Sequence, residues 1–122
     1  MKILFSDKNI AVILKPVGLD SEFEIPEQIR RKLGGDVYTI HRLDKNVGGV
    51  MVYARNKSTA ASLSKSVQEG SVIKEYVALV HGAPPESGDW TDYLFKDRQK
   101  NKVFVVKRER KGVKKARLEY QR

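Results

Sequence analysis

The chain has 122 residues, 40% hydrophobic and 32% charged, a balance typical of a small folded domain and not of a disordered segment. No unbroken apolar stretch is longer than that at residues 10–14, which is too short to cross a membrane, and no secretory leader is recognisable. The absence of cysteine excludes a disulfide scaffold, a thiolate metal site and a cysteine nucleophile, and two histidines nearly exclude a histidine metal cluster. We therefore expect a single cytoplasmic domain, residues 1–122, without a bound metal.

The positive charge lies at the end of the chain. The formal net charge is +9, yet residues 1–94 hold twelve basic and twelve acidic residues, whereas residues 95–122 hold twelve basic and three acidic ones. Such a concentrated excess attracts polyanions, of which nucleic acid is the commonest candidate for a cytoplasmic protein. A solvated basic hairpin, or a sheet edge protected by lysines, would have the same composition.

In chain order, the first predicted element is a β-hairpin. Two apolar runs, residues 3–5 and 10–14, flank the turn-forming residues 6–9 and are predicted to pair as strands. The following segment, 15–18, reads Lys-Pro-Val-Gly and ends the second strand, because proline lacks an amide donor and glycine permits a sharp turn.

Two helices are predicted. Residues 26–33 form the first, with a proline in its first turn and Gly34 after its last residue. Residues 58–69 form the second, with Ser58 as its N-cap and Gly70 at the C′ position.

The remaining predicted elements are strands. They cover residues 37–40, 50–54, 72–80, 91–95, 103–107 and 115–120. The last one alternates cleanly, with Ala116, Leu118 and Tyr120 expected to point inward. Many strands, two helices and several hairpin-like connections indicate an α+β fold with a mixed, largely antiparallel sheet.

The polar segment between the strands at 37–40 and 50–54 is the best candidate for chemistry. It places His41, Arg42, Asp44 and Lys45 within five positions. A carboxylate in such a setting can serve as a nucleophile or as a general acid or base, while the adjacent cations hold a polyanionic substrate. Alternatively, Asp44 ends a turn and bonds nearby backbone N–H groups, as aspartate does in many loops.

Three motifs in order give this chain a family resemblance. The His-Arg-Leu-Asp run at 41–44, followed by Gly49 and the apolar strand after it, resembles the signature of the RluA-type pseudouridine synthases. Residues 10–18 resemble the apolar strand of that family that ends in Lys-Pro-x-Gly. Residues 74–82 resemble its K-x-Y-x-A-x-V-x-G strand, in which Lys74, Tyr76, Ala78 and Val80 would share one strand face. The resemblance implies the pseudouridine synthase fold.

The resemblance also implies a reaction. Asp44 would be the catalytic aspartate, attacking the uracil ring or the ribose C1′ of a specific uridine in ribosomal or transfer RNA, without a cofactor. The freed base would rotate and rejoin the sugar through C5, with Tyr76 packing on the base and removing the C5 proton. Arg42 would help to extrude the uridine from an RNA loop or bulge. By pattern alone, however, Tyr76 fits a core or boundary tyrosine, and Arg42 could pair with Asp44.

Other basic residues are candidates for RNA contact. They are Arg42, Lys45, Lys74, Lys107, Arg108, Lys114 and Lys115. A second interpretation of the whole chain is a small non-catalytic RNA-binding module that uses residues 96–117, and a third is a structural fragment without an RNA role.

The sequence departs from the family pattern in two ways. Gly48 stands where the family usually has a small hydroxyl residue, and nothing matches the later G-R-x-H-Q-I-R-like segment that supplies a basic partner for the aspartate. We therefore expect the N-terminal portion of a catalytic domain, weakly active or inactive alone. An exposed edge at the C-terminal strand further predicts self-association.

Overall fold

A computed structural model describes all 122 residues, which form two compact units, Met1–Glu75 and Tyr76–Arg122. The first unit contains β1 (Lys2–Ser6), β2 (Ile10–Lys15), α1 (Glu24–Leu33), β3 (Tyr38–Thr39), β4 (Gly49–Ala54) and α2 (Lys57–Gln68). The second contains β5 (Ser87–Asp97), β6 (Lys102–Val106) and β7 (Val113–Gln121). The α+β class is confirmed. The family resemblance spans both units, and their grouping into one domain stays a prediction.

The strands form two antiparallel sheets. In the first unit the order is β1-β2-β4-β3, so β2 and β4 lie at the centre of the sheet. In the second unit the order is β6-β5-β7, with β5 central and β7 at one edge. The predicted hairpin and the predicted strands on either side of residues 41–49 are confirmed, as are the last three predicted strands.

The hydrophobic core belongs to the first unit. Alternate residues of β2 and β4 face it, and Ile25 and Ile29, four residues apart on α1, pack against them. The buried cluster consists of Ala11, Ile13, Ile25, Ile29, Val37, Leu43, Met51 and Tyr53. This period-two and period-four burial explains why the apolar pattern of the sequence predicts these elements correctly.

Both helices begin earlier than predicted. Helix α1 starts at Glu24 because the Asp20 carboxylate accepts the N–H groups of Glu22 and Phe23, each at 2.8 Å, and shapes the turn before the helix. These two bonds also lower the pKa of Asp20. Helix α2 is capped by Asn56, whose side chain accepts the Thr59 N–H at 2.8 Å, so the prediction of Ser58 as N-cap is wrong.

The end of α2 agrees with its prediction. Gly70 follows the C-cap residue and adopts a φ of 71°, a left-handed conformation that glycine enters without a steric penalty.

The predicted strand at 72–80 is wrong. These residues belong to neither a helix nor a strand, and Val77 and Leu79 are fully exposed. Apolar side chains on both faces of a run are typical of a central strand with a neighbour on each side. No strand of this chain pairs with residues 72–80, so the backbone hydrogen bonds that define a strand are not made.

The last strand is only partly as expected. Ala116 and Tyr120 are half-buried, but Leu118 is 54% exposed, because a single three-stranded sheet offers it little cover. The Tyr120 ring contacts Trp90 on the neighbouring strand, with ring centroids 4.8 Å apart.

Neither helix of the chain combines the length and the hydropathy that a membrane-spanning helix needs.

Candidate active site

The loop that joins β3 to β4 carries the His-Arg-Leu-Asp motif. It turns at Asp44, whose carbonyl oxygen accepts the Val47 N–H at 2.9 Å. A second backbone bond, from Gly18 N–H to the Lys45 carbonyl at 2.7 Å, ties the loop to the segment after β2. The φ of Gly18 is 94°, a left-handed conformation that glycine adopts without a steric penalty.

A buried lysine braces the loop from inside. Lys15, the last residue of β2, is only 1% exposed. Its ammonium group donates to the carbonyl oxygens of Val47 at 2.7 Å, Pro16 at 3.0 Å and Lys45 at 3.4 Å. A buried cation is tolerated only when such acceptors compensate for its lost hydration. Lys15 therefore fixes the backbone on the C-terminal side of Asp44.

A buried hydroxyl fixes the other side of the loop. The Ser21 hydroxyl donates to the Leu43 carbonyl at 2.8 Å and accepts the Leu43 N–H at 3.3 Å. The Tyr53 hydroxyl in turn donates to the Ser21 carbonyl at 2.7 Å. Burial and the nearby Asp20 charge raise the pKa of Tyr53, so this donor keeps its proton. The residue immediately before Asp44 is thus held by the core.

His41 ends the β3–β4 ladder with its side chain. Backbone pairing stops at Thr39, and the His41 Nε2 atom accepts the Val52 N–H at 3.2 Å. Burial and the positive charge of Lys74 lower the pKa of His41. The neutral ring that this bond requires is therefore favoured.

The Asp44 side chain has no bonding partner within the chain. It is exposed and makes neither a hydrogen bond nor an ion pair. The two cations beside it have other partners, since Arg42 pairs with Glu22 at 3.3 Å and Lys45 with Glu24 at 3.8 Å. The structure therefore shows neither an Arg42–Asp44 pair nor capping of the turn by the Asp44 carboxylate.

The lack of a side chain at Gly48 has a steric explanation. A Cβ atom at this position would lie 3.2 Å from the Lys15 carbonyl oxygen and 3.4 Å from a methyl group of Val17. Any side chain here would press on the strand end that holds Lys15. The departure from the family pattern thus concerns the fit of the loop against β2.

The other predicted site residues are exposed. Lys74 lies at the end of the first unit, and Tyr76 opens the second with 63% of its surface exposed, so it is not a core tyrosine of the chain. In the second unit, Lys107 and Arg108 lie between β6 and β7, whereas Lys114 and Lys115 lie on β7. All of these cations are without an ion-pair partner.

The sequence reasoning missed the residues that hold the loop. Lys15 stands in the Lys-Pro-x-Gly motif, and a lysine in register with the buried Ala11 and Ile13 was a signal that it points inward. Ser21 and Tyr53 gave no such signal, because a serine in a turn and a tyrosine in a strand are ordinary.

Comparisons with known proteins agree with this architecture. The family model described as RNA pseudouridylate synthase matches residues 4–122. The structure of human RNA pseudouridylate synthase domain containing 4 superposes with a TM-score of 0.77 at 28% identity, covering 98% of this chain and 52% of that one. The chain therefore belongs to the RNA pseudouridylate synthase family, and the resemblance inferred from its motifs is confirmed.

Curated relatives are similar at about the same level. Ribosomal large subunit pseudouridine synthase C of Buchnera aphidicola subsp. Acyrthosiphon pisum is 32% identical over 120 residues, which cover 91% of this chain and 38% of the relative. The tRNA pseudouridine synthase C of Haemophilus ducreyi is 31% identical over 106 residues, or 79% of this chain and 43% of the relative. The chain thus spans about two fifths of the length of these relatives.

Proposed function

We propose that the protein carrying this chain is an RNA pseudouridine synthase that isomerises a specific uridine in structured ribosomal or transfer RNA, acting in the cytoplasm. The observation that carries the proposal is the Asp44 carboxylate, which lies exposed and unpartnered on a loop braced by the buried Lys15 and Ser21. A structural aspartate would be bonded, whereas a nucleophile must be rigidly positioned and accessible. Family membership and the names of the relatives support the same reaction.

The proposed chemistry is an isomerisation in which no atom is gained or lost. The Asp44 carboxylate attacks the uracil ring or the ribose C1′ as the N-glycosidic bond breaks. The base rotates, its C5 atom bonds to C1′, and the bond to Asp44 breaks and frees the carboxylate. The C5 proton is lost while N1 gains one. Tyr76 is the candidate for removing the C5 proton. The reaction needs no redox partner and no cofactor.

We propose that exposed cations of the chain contact the RNA. Arg42 and Lys45 flank Asp44, and their pairs with Glu22 and Glu24 lie at the surface, where an ion pair contributes only about 0–1 kcal/mol. A phosphate can therefore displace these carboxylates. The further proposed contacts are Lys74, Lys107, Arg108, Lys114 and Lys115.

The test uses RNA in which the target uridines are replaced by 5-fluorouridine. This chain, and a chimera in which it replaces the matched segment of the Buchnera relative, are incubated with ribosomal and transfer RNA and run on a denaturing gel. From the chimera we expect a stable adduct or converted product that is absent in Asp44→Ala and retained in Asp92→Ala, an exposed, unpaired aspartate of the second unit. From the chain alone we expect a weak signal or none. Equal yields from the chimera and its Asp44→Ala variant would overturn the proposed role of Asp44.

A non-catalytic RNA-binding module is the second candidate, favoured by the twelve basic residues within 95–122. It predicts salt-dependent RNA binding by the chain and no uridine chemistry in the chimera, with or without Asp44.

We also propose that the chain self-associates through β7. This strand pairs with β5 on one side only, and its other edge is open. Light scattering at increasing concentration should show dimers or larger species. A monomer mass throughout would contradict the proposal.

A further inference from the structure

The two faces of the β5–β6–β7 sheet have different chemistry. Residues directly opposite on neighbouring strands share a face, so the pairing of Phe95 with Phe104 places both rings together. The pairing of Tyr93 with Lys115 and of Asp97 with Lys102 adds to the same face. We call this the aromatic face. The opposite face, which we call the apolar face, is mostly hydrophobic and carries Trp90, Leu94, Val103, Val105 and Leu118 together with Asp92, Lys96 and Lys114.

Cations from both turns of the sheet lie over the aromatic face. The Arg110 guanidinium, from the turn before β7, lies 5.0 Å from the centre of the Phe95 ring. The Lys100 ammonium, from the turn before β6, lies 6.0 Å from the centre of the Phe104 ring. Both distances fit cation–π contacts. The rings and the positive charges therefore form one surface at the turn end of the sheet.

This end of the face keeps a positive excess. The Asp97 carboxylate is occupied by the N–H groups of Gln99 and Lys100, at 2.9 and 3.0 Å, in the turn. Arg117, further along β7, is paired with Asp89 and Glu119 at the other end of the sheet. The cations at the turn end of the aromatic face have no ion-pair partner. They are Lys100, Lys102, Arg110 and Lys115.

We propose that the aromatic face binds an unpaired stretch of the RNA substrate. Bases would stack on the 42% exposed Phe104 ring and on the Arg110 guanidinium plane, while Lys102 and Lys115 bind phosphates. Unpaired RNA combines flat apolar bases with a regular negative charge, which matches rings alternating with cations. An acidic peptide would match the cations but not the rings. This inference rests on the proposed function for its choice of RNA.

The experiment is a fluorescence anisotropy titration of the chain with a labelled single-stranded oligouridylate, at several salt concentrations. Phe104→Leu keeps an apolar side chain but removes the ring, and we expect about a tenfold weaker Kd with an unchanged salt slope. Val105→Ala, on the apolar face of the same strand, is the matched control and should leave the Kd within twofold.

A second pair of variants tests the phosphate contacts. Lys102→Gln removes a cation from the aromatic face, and we expect the slope of log K against log salt to become shallower by about 0.7, the value for one phosphate on a single strand. Lys96→Gln removes a cation from the apolar face and should leave the slope nearly unchanged. Arg110→Lys keeps its charge but loses the flat guanidinium, so the Kd should weaken severalfold without a change in slope.

The outcomes separate this inference from the proposed function. Equal effects of Lys102→Gln and Lys96→Gln, together with unchanged binding by Phe104→Leu and Arg110→Lys, would overturn the aromatic face but leave RNA binding intact. Displacement of RNA by polyglutamate at equal charge concentration would also overturn it, since rings would then add nothing. Circular dichroism checks that each variant is folded. If Phe104→Leu does not fold, the surface variant Arg110→Lys provides the test instead. An absence of RNA binding by the unaltered chain would overturn both proposals.

Discussion

The two units of the chain differ in what holds them together. Every buried residue of the protein lies between Ala11 and Ala54, within the first unit. In the second unit no residue is buried, and Trp90, Val103, Val105 and Leu118 are all more than half exposed. The first unit is thus organised by a hydrophobic core, whereas the second is organised by the backbone pairing of three strands.

This difference matches the chemistry proposed for each unit. A nucleophile loses rate when it moves by an ångström, so the Asp44 loop needs the buried contacts of Lys15, Ser21 and Tyr53. A surface that attracts RNA acts through charge and exposed rings, and it tolerates local motion. The core of the first unit thus fixes geometry, whereas the exposed sheet of the second unit presents charge.

The largest expected difference is in the response to side-chain truncation. Ile29→Ala leaves a cavity against β2 and β4, and we expect a loss of about 2–5 kcal/mol in the free energy of unfolding. Val105→Ala, at a position 68% exposed in the second unit, should cost less than about 1 kcal/mol. Urea denaturation followed by circular dichroism checks both values, and equal losses would contradict the comparison.

Removal of the Lys15 ammonium group, which holds the loop after Asp44, should have the next largest effect. Lys15→Met fills similar space but leaves the carbonyl groups of Val47 and Lys45 without their donor. We expect a loss of about 1.5–3 kcal/mol, the range for a hydrogen bond to a charged group. The exposed Lys8→Met variant is the control and should change unfolding little. A Lys15→Met protein as stable as the original would show that the hydrogen bonds of Lys15 do not contribute to stability.

A side chain at Gly48 should disturb the same contact from the other side. Gly48→Ser places Cβ 3.2 Å from the Lys15 carbonyl, and Lys15 is held in place by its own three bonds. We expect a loss of about 1 kcal/mol, the low end for overpacking. Thermal unfolding measures it. A gain in stability would mean that the end of β2 adjusts freely.

The first unit should also lose stability in mild acid. The lowered pKa of His41 means that its unfolded form binds a proton more readily than its folded form. Its contribution is full above the unfolded pKa of about 6.5 and declines as the pH falls through and below this value. The melting temperature should therefore drop more between pH 7.5 and 5.5 for the original chain than for His41→Gln. Identical pH profiles would exclude His41 as the cause.

The smallest expected effect concerns the surface pair beside Asp44. Glu22→Gln frees Arg42, and RNA affinity should rise by no more than about fivefold, since an exposed pair contributes up to about 1 kcal/mol. Glu27→Gln frees Arg31 on α1 in the same way and serves as the control for added net charge. Anisotropy titration compares them. An equal gain from both variants would show that Arg42 acts only through net charge.

Residue pattern alone predicts the elements whose pattern is local. Alternation in β2 and β4, the spacing of Ile25 and Ile29, and Gly70 after α2 each follow from the geometry of a strand or a helix. The motif at 41–44 likewise indicated the family, because residue types and spacing need no coordinates. The role of Asp44 stays a prediction of that motif.

The contacts between distant segments depend on how the chain folds in three dimensions. That Lys15 turns inward to carbonyl groups 30 and 32 residues away depends on β2 and β4 being neighbours. Residues 72–80 have the pattern of a strand, but a strand exists only where a partner supplies its hydrogen bonds. The register of β5 with β6 and β7 likewise assigned the rings and the cations of the last 28 residues to one face or the other. A sequence pattern fixes which side chains alternate, and the pairing of strands decides what they meet.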